Sequence, residues 1–229
     1  MKTIAIMQPT YLPWLGYFQL IKSVDTFVFL DNVQFGRGWQ YRNRLKGSNN
    51  EPYWLSVPLK KHSRNTPLNE IEISLDQFNW TIKHMNSIKR SLGKSPFFSE
   101  IYSIAEKILT HKNNKLSELN IYGIRLLCQL LDLKTDFILA SDLSLSGTKG
   151  EYILNICRKL NVDCYLSPVG SSVYLDEQKP LFFKNEIKIE YQDWKHPVYK
   201  QTGNGKFISH LSVLDPIAEL GVDIIKESI

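Results

Sequence analysis

A strand, a short helix and a second strand within the first 31 residues restrict the folds open to this chain. Residues 2–8 and 26–31 are apolar, β-branched or aromatic runs of the kind that form buried strands. Residues 15–23, between them, have the spacing of a short helix. A connection that contains a helix joins strands running in the same direction, so the pattern predicts a right-handed, parallel βαβ unit.

The same alternation returns in the second half of the chain. The sequence predicts further strands at residues 53–59, 136–140, 163–166 and 187–191, and a helix at residues 151–160. Three amphipathic helices follow one another before residue 131. We therefore predict one α/β domain over residues 1–229, with a mostly parallel sheet and a helical insertion at about residues 76–131.

Composition bears on where the protein works. Hydrophobic residues make up 43% and charged residues 22% of the chain, the profile of an ordinary globular protein. No apolar run reaches the roughly 18 residues that a membrane-spanning helix needs. Pro9 interrupts the apolar start before it reaches the length of a signal peptide. We expect a cytoplasmic protein without a membrane partner.

Cysteine and histidine placement argues against a metal centre. The three cysteines form no CxxC pair, and the five histidines are far apart without the spacing of metal ligands. The sequence therefore predicts neither a zinc site nor a disulfide framework. It identifies no cofactor.

The positive charge is concentrated in one segment. Residues 36–65 contain seven Lys or Arg and one acid, Glu51, which gives this segment +6 in a chain of net charge +5. Arg42 and Arg44 would share a side if their segment is extended, and with Asn43 and Trp54 they are predicted to bind an anionic ligand. A solvated loop is the alternative. Nucleic acid ranks lower as a partner because the rest of the chain is slightly acidic.

The loop at residues 8–17 follows the first strand, and Asp31 follows the second. Ligands of open parallel sheets bind beyond the carboxyl ends of the strands, so we expect both to face one crevice. The loop residues predicted to bind the ligand are Gln8, Thr10, Tyr11, Trp14, Gly16 and Tyr17. Aromatic packing in the core is the alternative for the rings.

Two residues are candidates for catalysis. His196 follows the last predicted strand, and a histidine can take up a proton near neutral pH. A turn histidine before Pro197 is the structural alternative. Asp31 is the second candidate, as an acceptor of hydrogen bonds from a hydroxyl or an amine. Tyr199, close to His196, is predicted to contact the ligand.

The beginning of the chain resembles pantothenate synthetases and related nucleotidylyltransferases. The resemblance rests on Pro9-Thr10, on the glycine that opens the helix, and on the segment from Asp31 to Phe35. It implies a Rossmann-like core of the nucleotidylyltransferase type. Where that family has its HxGH motif for ATP phosphates, this chain has Trp14-Leu15-Gly16-Tyr17, so the glycine matches and both histidines are missing.

Nearly the whole chain resembles the WbqC-like protein family. The matching blocks include Gln8 to Phe18, Asp31 to Phe35, Arg42-Asn43-Arg44, Trp54 to Pro58, His196 to Gln201 and Leu211 to Asp215, of which the first and the His-Pro-Val-Tyr block are long and specific. The resemblance implies a transferase of bacterial O-antigen or other lipopolysaccharide biosynthesis. Such an enzyme would transfer an acyl or aminoacyl group, glycyl for example, to the amine of a nucleotide-linked amino sugar. Its partners would be the nucleotide-linked sugar and the acyl or aminoacyl donor.

Two other functions remain open. One is an ATP-dependent amide ligase that works with the degenerate HxGH motif. The other is a non-catalytic module that binds a nucleotide sugar or nucleic acid. A requirement for ATP would distinguish the ligase, and the absence of a product would distinguish the binding module.

Overall fold

The structure, a computed structural model, describes residues 1–75, 79–112, 114–171, 175–203 and 205–229. These residues group into two compact units, each assembled from several stretches of sequence. Unit 1 comprises residues 1–8, 19–32 and 134–195, and unit 2 comprises residues 9–18, 33–133 and 196–229. The expectation of one domain over the whole chain stays a prediction.

The described strands and helices follow the chain in this order. The strands are β1 (Thr3–Met7), β2 (Thr26–Phe29), β3 (Arg42–Lys46), β4 (Pro52–Ser56), β5 (Asp136–Leu139), β6 (Cys164–Ser167) and β7 (Lys188–Tyr191). The helices are α1 (Leu15–Lys22), α2 (Trp80–Leu92), α3 (Phe98–Thr110), α4 (Leu116–Leu130), α5 (Lys149–Lys159), α6 (Lys179–Lys184), α7 (Leu214–Leu220) and α8 (Val222–Ser228). None of these helices combines the length and the hydrophobicity needed to cross a bilayer.

Unit 1 is built on a parallel sheet of five strands in the order β5-β2-β1-β6-β7. In register, Ile4 of β1 lies between Thr26 of β2 and Tyr165 of β6. All four residues of β2 are buried, as expected for a parallel strand covered on both faces. The predicted α/β class with a mostly parallel, Rossmann-like sheet is confirmed.

Unit 2 combines helices with a two-stranded antiparallel hairpin. Helix α3 packs against α2, α4 and α7 through its apolar face. Helices α2, α3 and α4 match the helical segments predicted between residues 80 and 131, whereas residues 76–78, the predicted start of the insertion, lie outside the described residues.

Strand β3 was not predicted as an element. It contains Arg42, Asn43, Arg44 and Lys46, and its only apolar residue is Leu45, so the sequence lacks the alternation typical of a strand. It pairs with β4 and sets Arg44 opposite Trp54. The strand predicted at residues 53–59 therefore belongs to this hairpin and not to the parallel sheet.

Candidate functional site

The structure divides the predicted site residues between the two units. Gln8 and Asp31 belong to unit 1. The others belong to unit 2, and they are Thr10, Tyr11, Trp14, Gly16, Tyr17, Arg42, Asn43, Arg44, Trp54, His196 and Tyr199. The crevice expected to join the loop and Asp31 stays a prediction.

Asp31 is buried just beyond the end of β2. Its side chain accepts two hydrogen bonds from Ser141, one from the backbone N–H at 3.0 Å and one from the hydroxyl at 2.7 Å. Ser141 follows β5, the neighbour of β2 in the sheet. The carboxylate thus links the segments that follow the adjacent strands β2 and β5. Its role in catalysis stays a prediction.

Two buried amides hold the loop that opens unit 2. The Asn43 amide donates to the carbonyl of Tyr11 at 3.2 Å and to that of Leu12, which has a left-handed φ of 43°. The Asn120 amide donates to the Pro9 carbonyl at 3.1 Å. Because neither asparagine is near the loop in sequence, tertiary contacts determine the conformation of the loop.

Two of the predicted aromatic ligands lie in the core of unit 2. The Tyr11 hydroxyl donates to Nδ1 of His84 at 2.8 Å, and Nε2–H of His84 donates to the Ser56 carbonyl at 3.2 Å. Burial lowers the pKa of His84 to about 4, so its imidazole is neutral near pH 7. Tyr17 is fully buried. Thr10 and Gly16, two other residues of the predicted loop, are buried as well.

The hairpin carries two arginines between two exposed tryptophans, and we call Trp39, Arg42, Arg44 and Trp54 the hairpin face. The Arg42 guanidinium lies 4.3 Å from the Trp54 ring centroid, and that of Arg44 lies 5.3 Å from the Trp39 centroid. The two indole rings lie 5.2 Å apart. Trp39 is 37% and Trp54 43% exposed, which is high for residues of this size. As the spacing predicted, both guanidiniums project from one side of the strand.

A second group of rings forms what we call the histidine cluster, namely His196, Tyr199, Phe207 and His210. The His196 ring centroid lies 5.1 Å from that of His210 and 5.7 Å from that of Phe207. The half-buried Trp14 lies 6.2 Å from His210. The cluster adjoins the hairpin face, because the Arg44 guanidinium donates to the His210 carbonyl at 3.2 Å.

The surroundings of His196 keep it neutral and define its tautomer. Nδ1–H donates to the Pro197 carbonyl at 2.8 Å, since a carbonyl can only accept. The lone pair of the neutral ring is therefore on Nε2. Burial lowers the pKa of His196 below its ordinary value. A neutral imidazole with a basic Nε2 can accept a proton from a reacting amine.

The buried carboxyl group of Asp215 holds Tyr199 of the histidine cluster in place. The Tyr199 hydroxyl donates to Oδ1 of Asp215 at 2.6 Å, and the Gln201 amide donates to the same oxygen at 3.3 Å. Burial raises the pKa of Asp215 to about 6, although its hydrogen bond from Tyr199 opposes the rise. Gln201 also bonds both backbone groups of Ile208. The network fixes Tyr199 and the loop that carries Phe207.

Sequence reasoning missed His210, Asp215, Gln201 and Asn120 as parts of this arrangement. Asp215 had a local signal, a single carboxyl group inside the apolar run 211–218. His210 had none, because its proximity to His196 depends on the path of the intervening loop. Within the described residues, no group of three or more His, Cys, Asp or Glu side chains is placed to hold a metal ion.

Comparison with known proteins gives a family match over almost the whole chain. The model described as "WbqC-like protein family" matches residues 8–227. A protein of Mycobacterium tuberculosis (strain ATCC 25618 / H37Rv), named "Uncharacterized protein Rv1507c", is 30% identical over 227 residues. That alignment covers 97% of this chain and 96% of the relative. No solved structure gives a significant match.

Proposed function

Because the chain belongs to the WbqC-like protein family, we propose that it is a transferase of bacterial surface-polysaccharide biosynthesis. In this proposal the enzyme transfers an acyl or aminoacyl group to the amine of a nucleotide-linked amino sugar, as in O-antigen or lipopolysaccharide synthesis. The observation that carries the proposal is the junction of the hairpin face with the histidine cluster through Arg44. An anion-binding surface and a base thus adjoin each other.

The hairpin face suits the nucleotide diphosphate. Guanidinium groups form short, charge-assisted hydrogen bonds with phosphate oxygens, often two at a time. The exposed rings of Trp39 and Trp54 offer faces on which a base or a sugar can stack. Both arginines already lie over these rings, so their positive charge is held where a diphosphate would approach a stacked ligand.

The histidine cluster suits the transfer step. The amine nitrogen of the sugar attacks the carbonyl carbon of the donor, and a carbon–nitrogen bond forms. The bond between that carbon and the donor's leaving group breaks, and the leaving group keeps the electron pair. His196 Nε2 takes the proton that the amine loses and returns it to the leaving group.

The test is detection of a new acylated sugar. The full chain is incubated with nucleotide-linked amino sugars and a panel of activated acyl and aminoacyl donors, and products are identified by mass spectrometry. We expect His196→Gln to lower the rate by a factor of about 10²–10⁴, as for loss of a general base. His111→Gln, at an exposed position outside the cluster, is the matched control and should keep the wild-type rate.

Three results would change the assignment. Formation of product only with ATP, with release of AMP or pyrophosphate, would identify a ligase. Binding of nucleotide sugars without any product over the donor panel would identify a binding module. Equal rates for wild type and His196→Gln would remove the histidine cluster from the mechanism.

A further inference from the structure

A basic cavity lies within unit 2, and none of its lining residues belongs to the hairpin face. Its volume is about 430 Å³, within the range of small-molecule sites, and its lining residues are Gln34, Phe35, Arg37, His62 and Arg64. None of these is acidic. We propose that this cavity binds the phosphate group of a small anionic ligand.

The backbone around the cavity is held in place before any ligand arrives. The Phe35 N–H donates to the Thr66 carbonyl at 3.0 Å, and the Leu68 N–H donates to the Val33 carbonyl at 2.9 Å. Between these bonds, residue 34 pairs antiparallel with residue 67. A site whose walls are already connected loses little conformational entropy when it binds a ligand.

The polar side chains of the cavity are also positioned by neighbouring groups. The Gln34 amide donates to the Arg64 carbonyl at 2.9 Å, which joins the two sides of the cavity. Nδ1–H of His62 donates to the Lys60 carbonyl at 2.9 Å, and its ring packs edge-to-face with Phe35 at 5.2 Å. These two contacts, one polar and one aromatic, fix the position of the His62 ring.

Glu72 does not neutralise the positive charge of the cavity, because it pairs with lysines that do not line it. Glu72 pairs along this segment with the neighbouring lysines, at 2.8 Å from Lys60 and 3.3 Å from Lys115. Neither Arg37 nor Arg64 forms an ion pair with a described carboxylate. Two guanidiniums around one cavity favour a multiply charged oxyanion, and guanidinium geometry favours phosphate.

The probe for this site is inorganic pyrophosphate, titrated into the full chain by isothermal calorimetry at low salt. We expect saturable binding that Arg37→Gln and Arg64→Gln each weaken about tenfold or more, as for loss of a charge-assisted contact. Lys61→Gln removes the same charge at an exposed position that does not line the cavity, and it should leave the affinity nearly unchanged. Succinate, a dicarboxylate that carries less negative charge than pyrophosphate near pH 7, should bind more weakly.

Each contrary result overturns the inference. Absence of pyrophosphate binding at millimolar concentration would exclude a phosphate site. Loss of binding in Arg42→Gln, with Arg37→Gln unchanged, would assign the anion to the hairpin face. Succinate binding as tight as that of pyrophosphate would indicate a carboxylate site. Arg37 is exposed, so its variant should fold, and circular dichroism and a thermal melt on each variant check this.

Discussion

Burial separates two aromatic residues three positions apart, Trp14 just before helix α1 and Tyr17 in its first turn. Tyr17 is fully buried, whereas Trp14 is half-buried and contacts the exposed His210. We expect Tyr17→Ala to lower the free energy of unfolding by about 3–5 kcal/mol, as for other large aromatic residues of a core. Trp14→Ala should cost less stability and lower the affinity for the nucleotide sugar. Urea denaturation beside a binding titration measures both, and equal stability losses would contradict this division.

The buried His84 makes stability depend on pH. Its pKa is lowered to about 4 in the folded chain, against about 6.5 when unfolded. The stabilisation linked to neutral His84 is therefore complete above pH 6.5 and is lost as the pH falls through 4. The free energy of unfolding decreases by about 3 kcal/mol over this range. His84→Gln can still bond Tyr11 and should remove this dependence. Unfolding free energies of both proteins at several values between pH 4 and 7 check it; parallel curves would exclude His84 as the source.

Asp215 should act with the opposite sign. Its folded pKa is raised to about 6, above about 3.9 in an unfolded chain. The stabilisation is complete below pH 3.9 and is lost as the pH rises through 6, which removes about 3 kcal/mol by pH 7. Asp215→Asn keeps an oxygen that can accept from Tyr199. Compared with this variant, the wild type should gain relative stability as the pH falls from 7 to 4; a constant difference would refute the shift.

At the scale of elements, the two arginines of the hairpin make different contacts. Arg44 donates to the carbonyls of Ser209 at 3.1 Å and His210 at 3.2 Å, and so it holds the loop of the histidine cluster. The side chain of Arg42 instead lies over Trp54. The two arginines of β3 therefore differ in what their removal should do.

We expect both alanine variants to weaken binding of the nucleotide sugar by about 1.5–3 kcal/mol. Only Arg44→Ala should also destabilise unit 2, by about 0.5–1.5 kcal/mol, because it removes the donor of two exposed carbonyls that water can then solvate. Calorimetric titration and urea denaturation of Arg42→Ala and Arg44→Ala separate the two effects. Unchanged affinity in both variants would remove the hairpin face from the site.

For the molecule as a whole, the missing histidines of the HxGH motif have a consequence for the reaction. Trp14 and Tyr17 stand where that motif has its two histidines, and Tyr17 is buried. We expect weak ATP affinity and no exchange of labelled pyrophosphate into ATP with any carboxylate substrate. Robust exchange would favour the ligase and oppose the proposed transferase.

Much of the architecture could be read from local patterns along the chain. The parallel strands β1, β2, β5, β6 and β7 and the helices between residues 80 and 130 follow from periodicity, because the spacing of apolar residues reports which side of an element is buried. The concentration of positive charge in residues 36–65 and the shared side of Arg42 and Arg44 are also local properties.

Tertiary structure alone decided which distant groups meet. Strand β3 is too polar to be recognised by itself, and pairing with β4 is what makes it a strand. His196 approaches His210, and Tyr199 bonds Asp215, only because the loop between them folds back. Likewise, the sequence left both ligand binding and core packing open for Tyr11 and Tyr17, and their burial, with the Tyr11 hydroxyl bonded to His84 of α2, is visible only in the folded chain. Sequence patterns encode which faces are apolar, whereas contacts across long separations depend on how those faces pack together.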